Sequence, residues 1–170
     1  TSYAQLSAWN IERAFGAPVA YVVDFDPSNT EHRRLRGTPV TTAPAIKILV
    51  ADDDPELLNL ISSHARSIEG AEVIEASDGE EALRLARSER PALVLLDVMM
   101  PGMSGWEVCR AIREEEGLRS AKVIMLTGIG ERLNEMTSPL YGADAYLDKP
   151  FDLDDLSDRI EDLVGRRPQG

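Results

Sequence analysis

From Ile46 onward the chain alternates short apolar runs with amphipathic stretches, five times over in about 120 residues. Runs of this length, bounded by Gly, Pro and Asp, suit strands covered on both faces better than buried helices. Ile46–Ala51, Ala71–Ala76, Ala92–Leu96, Lys122–Leu126 and Ala145–Leu147 read as strands. Pro55–Arg66, Glu80–Arg90, Trp106–Glu116, Glu131 to about Thr137, and Asp152–Val164 read as the helices that follow them. In the first helix Leu57, Leu58, Ile61 and Ala65 recur at helical spacing, and in the last Leu153, Leu156, Ile160 and Leu163 do the same. Strands separated by helices must run parallel, because only a long crossover returns the chain to the same end of the sheet.

The expected fold is therefore α/β: a flavodoxin-like, doubly wound five-stranded parallel sheet, strand order 2-1-3-4-5, with helices on both faces. Such a sheet gathers the carboxyl ends of its strands along one edge, where open α/β folds bind ligands. The chemically useful residues fall there. Asp52, Asp53 and Asp54 follow the first strand, Asp97 ends the third, Thr127 ends the fourth and Lys149 follows the fifth. Taken alone, Asp97 fits a strand terminator as well as a site, and Asp52–Asp54 fit a helix N-cap cluster before Pro55. Carboxylates converging on one mouth repel unless protonated or bridged, and an all-oxygen site with room for water suits Mg²⁺. Asp54 is assigned to the cap, leaving Asp52 and Asp53 for a cation.

Charge narrows the partners. There are 30 acidic and 18 basic residues, a formal net charge of -12, which disfavours direct contact with nucleic acid or an anionic membrane. Residues 1–45 hold four acids (Glu12, Asp24, Asp26, Glu31) and four bases (Arg13, Arg33, Arg34, Arg36), so the acid excess lies downstream. One cysteine, Cys109, excludes an internal disulfide; with no long apolar span, a cytoplasmic location is expected.

The acidic pair, the Asp97-Val-Met-Met-Pro-Gly-Met-Ser-Gly turn, Thr127-Gly128, and Gly142-Ala-Asp-Ala-Tyr-Leu-Asp-Lys-Pro-Phe151 come in a fixed order. Together they resemble the receiver domain of bacterial two-component response regulators, over about Ile46 to Val164. The resemblance implies a phosphoprotein switch in phosphorelay signal transduction. Asp97 is the implied phosphoacceptor, with Lys149 and Thr127 assisting. Asp52, Asp53, Asp97 and the Met99 backbone carbonyl are the implied ligands of Mg²⁺, with Mn²⁺ as a substitute. Thr127 and Tyr146 are the implied switch pair, and Lys149-Pro150 the implied cis peptide. The resemblance also implies a histidine kinase or histidine phosphotransfer protein as donor, and the face of the fourth helix, fifth strand and fifth helix as the surface that switches, with a homodimer there as a further option. Beyond self-catalysed phosphorylation and dephosphorylation, no external turnover is expected.

Three regions follow from this: an extension and linker over residues 1–45, the receiver over 46–165, and a polar tail over 166–170. The extension has little apolar surface to offset the entropy of ordering it, and is expected to be flexible or to lie against the domain. Its Val22–Pro27 (VVDFDP) echoes Val50–Pro55 (VADDDP), yet the segment is too short for a second copy of the domain. Ser138-Pro139 should shorten or kink the fourth helix. The tail is consistent with a stand-alone receiver or with one excised from a larger protein. Two rivals are a receiver-like interaction module acting without phosphorylation, and a Mg²⁺-dependent phosphatase with an aspartyl nucleophile, for which no segment is long enough to form a substrate cap. His32 and His64 lack metal-like partners and are expected at the surface; Trp106 and Cys109 are expected to pack.

Overall fold

The structure, a computed structural model, describes residues 45–128 and 141–165. The expectations for the extension, the helix near 131–137, Ser138-Pro139, His32 and the tail lie outside the described residues. The chain divides into a unit of residues 1–44 and a unit of residues 45–170. All the described residues belong to the second unit.

Among the described residues nine elements follow in order: β1 Ile46–Ala51, α1 Pro55–Arg66, β2 Ala71–Ala76, α2 Gly79–Glu89, β3 Leu93–Asp97, α3 Gly105–Glu114, β4 Lys122–Thr127, β5 Ala145–Asp148 and α4 Leu153–Val164. The strands form one sheet in the order β2-β1-β3-β4-β5, all neighbours parallel. This is the expected topology. The bounds of β1, α1 and β2 are those expected, and the others shift by one or two residues, as where α2 and α3 begin on Gly79 and Gly105.

Period-two alternation along the strands divides the core in two. Leu49, Ala51, Val94, Leu96, Val123 and Met125 face one side, where Ala82, Ala86, Val108, Cys109 and Ile112 of α2 and α3 cover them. Ile48, Val50, Leu93, Leu95, Ile124 and Leu126 face the other, under Leu58, Ile61, Leu156 and Ile160 of α1 and α4. β3 is fully buried along its length, which is why it reads as an unbroken apolar run. β2, at an edge, instead exposes Glu72 and Glu75.

The caps place the helices at the mouth. Asp54 accepts from the Glu56 and Leu57 amides, as expected of the cap residue, and Pro55 opens α1. Ser104 and Glu107 form a reciprocal capping box at α3. Two glycines allow the turn between β3 and α3 to close. A Cβ on Gly105 would collide with the Asp97 carbonyl oxygen, and one on Gly79 with the Met103 carbonyl oxygen. The Gly105 amide donates to the Val98 carbonyl at 3.1 Å. His64 is half-buried at the surface, and its Nε2 lies 2.6 Å from Ser157 Oγ, tying α1 to α4.

Candidate functional site

At the carboxyl edge of the sheet, β1 delivers Asp52, β3 delivers Asp97 and β4 delivers Thr127, all three buried. Asp53 stands exposed at the rim. Lys149, just beyond β5, reaches back across the mouth: its Nζ donates to Asp97 Oδ1 at 2.8 Å and to Asp52 Oδ2 at 3.0 Å. The Asp52 side chain is further fixed by the Asp54 amide, which donates to Oδ1 at 2.9 Å. Lys149 is aimed by its own backbone, whose amide donates to the Thr127 carbonyl at 2.7 Å, and the Lys149-Pro150 peptide is cis as expected.

The electrostatics are those of crowded carboxylates. Burial pushes the Asp97 carboxyl above the usual carboxylate range; the hydrogen bond from Lys149 opposes this, while the charges of Asp52 and Asp53 add to it. Burial alone would lower the Lys149 ammonium, but its hydrogen bonds and attraction to Asp97 and Asp52 outweigh burial and raise it. Among the described residues one ammonium, bonded to Asp97 and Asp52, thus stands beside a group of three carboxylates.

That imbalance is what a divalent cation would correct. Asp52, Asp53 and Asp97 can each offer one carboxylate oxygen such that all three lie within 4.8 Å of one another. Hard oxygen donors with one exposed member, leaving room for water, fit Mg²⁺. The Met99 side chain is 75% exposed and turned to solvent, so only its backbone is available to the site. Tyr146 is half-buried in β5, packed against the α2/α3 side of the core.

Residues 48–161 match the family model for the response regulator receiver domain. The chain belongs to that family. Among curated relatives it is 43% identical over 120 residues to the probable transcriptional regulator ycf27 of Porphyra purpurea, covering 71% of this chain and 48% of that protein. It is 38% identical over 120 residues to the alkaline phosphatase synthesis transcriptional regulatory protein PhoP of Bacillus subtilis, covering 71% and 49% respectively. The chain thus spans about half the length of the curated relatives it matches. Among solved structures, chemotaxis protein CheY4 of Vibrio cholerae is 29% identical, with a TM-score of 0.66, covering 70% of this chain and 98% of that one. The receiver domain of sensor histidine kinase PA1611 from Pseudomonas aeruginosa is also 29% identical, with a TM-score of 0.65, over 71% and 98%. That structure carries a magnesium ion in its active site cleft.

The receiver's acidic mouth was visible in the sequence because each member ends or follows a strand. The residues sequence reasoning missed are Gly79 and Gly105, which hold the mouth in shape through contacts with a distant backbone, and Arg113, which ties the far end of α3 to the segments that lead into β4 and β5. Its guanidinium donates to the carbonyls of Gly142, Arg119 and Ala121 at 2.6, 3.0 and 2.6 Å and to Asp144 Oδ2 at 2.6 Å.

Proposed function

We propose that this receiver accepts a phosphoryl group on Asp97 and uses it to bias a switch between two conformations. The observation that carries the reading is the Lys149 ammonium bridging Asp97 and Asp52, beside a third carboxylate, at the carboxyl edge of the sheet. In the proposed transfer an Asp97 carboxylate oxygen attacks phosphorus, an O–P bond forms and the bond to the donor breaks. With phosphohistidine the leaving imidazole nitrogen keeps the electron pair; with acetyl phosphate the acetate oxygen does. The attacking and arriving groups are both anionic, so the compact charge of Lys149 has to hold their oxygens together. Asp52, Asp53, Asp97 and the Met99 carbonyl would hold Mg²⁺, or Mn²⁺ in its place. Such an ion, when bound, neutralises charge on the phosphoryl oxygens.

Thr127, buried at the end of β4, would turn its hydroxyl toward new acceptor oxygens on Asp97, and Tyr146 would follow. The switched surface includes β5 and α4. The donor is a histidine kinase or histidine phosphotransfer protein, in a bacterial-type two-component pathway and a cytoplasmic setting, with homodimerisation as one outcome of switching. Turnover is confined to Asp97 itself, with no hydrolysis of external phosphoesters.

Intact-mass analysis after incubation with acetyl phosphate tests the reading, with and without Mg²⁺, on the parent and on Asp97→Ala. A labile gain of one phosphoryl group that needs both Mg²⁺ and Asp97 is expected. No gain in the parent, with Mg²⁺ binding shown separately, refutes it in favour of an interaction module that works without phosphorylation.

A further inference from the structure

One stripe of α3 makes a series of contacts that the phosphoryl chemistry does not use. Trp106, Cys109 and Arg113 stand at i, i+3 and i+7, hence on one face of the helix. All three engage the chain where it approaches β5. The Trp106 ring lies 4.8 Å from that of Tyr141, at 34°. Cys109 Sγ donates to the Tyr141 carbonyl at 3.1 Å, and the Arg113 guanidinium donates to the next carbonyl, that of Gly142. Trp106 then reaches one step further, its ring centroid 6.0 Å from that of Tyr146 at an interplanar angle of 41°.

The other end of this stripe is pinned to the acidic mouth. Gly105, the residue before Trp106, packs so closely on the Asp97 carbonyl that no side chain fits between them. A single helix therefore starts against the backbone of Asp97 and presents, from its first turn, the ring against which Tyr146 rests. A dense interior transmits such placements because it deforms little.

We infer that Trp106 is a positioning residue for Tyr146: its ring forms the wall that holds Tyr146 in the packed position, while Cys109 and Arg113 fix Tyr141 and Gly142 so that β5 enters at the right depth. The inference rests on the switch role proposed for Tyr146, and adds to it a contact made from α3, apart from the hydroxyl of Thr127. A tilted aromatic pair at this separation biases a two-position equilibrium about 2- to 10-fold.

The test uses the full chain labelled with fluorotyrosine, with the Tyr146 fluorine resonance assigned through Tyr146→Phe among the four tyrosines. Its relaxation by a neutral gadolinium chelate in solution measures how far the ring is exposed. In the absence of any phosphoryl donor, Trp106→Leu should raise that relaxation about 2- to 10-fold, and Trp106→Phe should restore most of the protection. Urea midpoints of the same proteins separate a local change from general loosening. Trp106→Met, which fills the space without a ring face, replaces the Leu variant should that fail to fold. Equal relaxation in parent and variant overturns the inference. Because no donor is present, this result is independent of phosphoryl uptake at Asp97, whose failure in the mass experiment would count against the phosphoacceptor reading alone.

Discussion

Replacing Lys149 with methionine isolates the electrostatics of the mouth. The substitution keeps an unbranched chain of similar length and removes the ammonium that donates to Asp97 at 2.8 Å and Asp52 at 3.0 Å. Those carboxylates are 5% and 1% exposed, so water does little to replace the lost partner. Removing one member of a buried ion pair costs about 3–5 kcal/mol. The low end, about 3 kcal/mol, is expected because the pair sits at the mouth of the sheet rather than inside it. With a urea m-value of about 1.5 kcal/mol/M, the midpoint of Lys149→Met should fall by about 2 M at neutral pH without divalent ions. Two further measurements identify the cause. The Asp97 carboxyl is already raised above the usual carboxylate range by burial, and losing the Lys149 bond removes an influence that lowers it. The folded variant thus binds more protons than the unfolded chain as pH falls toward that range, so its stability deficit should shrink there. Millimolar Mg²⁺ should also restore part of the midpoint by supplying the missing positive charge. A variant as stable as the parent at neutral pH, with or without Mg²⁺, would refute the argument that the mouth holds ionised carboxylates kept together by Lys149.

Two other substitution or reactivity experiments follow from the packing. Gly105→Ala forces a methyl group against the Asp97 carbonyl; a loss of about 1–3 kcal/mol in urea unfolding is expected, together with weaker Mg²⁺ binding by calorimetry, whereas an unchanged affinity would show that the turn yields without moving Asp97. Burial pushes the Cys109 thiol up to about 11, so the native protein should resist iodoacetamide near neutral pH and react fully once unfolded in urea; rapid alkylation of the folded protein would contradict the burial.

Much of this molecule is readable from its sequence because the relevant signals are local. Buried strands appear as apolar runs, β3 most clearly, and the run Asp52-Asp53-Asp54-Pro55 contains both a pair of ligand candidates and a helix start. The cap at Asp54 and the strand-end positions of Asp97 and Thr127 could be inferred without knowing what packs where. The remaining features depend on residues far apart in the chain. Gly79 and Gly105 are poor helix formers that open α2 and α3, and only the approach of Met103 and Asp97 explains them. His64 offers no sign in sequence that Ser157, 93 residues away, will meet it. Arg113 looks like one more surface charge on an amphipathic helix, yet it gathers three carbonyls and Asp144. The close pairing of Trp106 with Tyr141 likewise needs the sheet to be assembled first.

The two outer strands set a limit on how such molecules can join. At one margin β2 carries Glu72 and Glu75 exposed among its six residues, and at the other β5 is only four residues long. A strand arriving from another polypeptide would meet carboxylates on one side and too short a ladder on the other, so neither margin invites the sheet to grow. Any association between copies would then have to use the helical flanks, where contacts form and separate without exchanging backbone hydrogen bonds. A sheet of finished width in this way resists growth into a fibre.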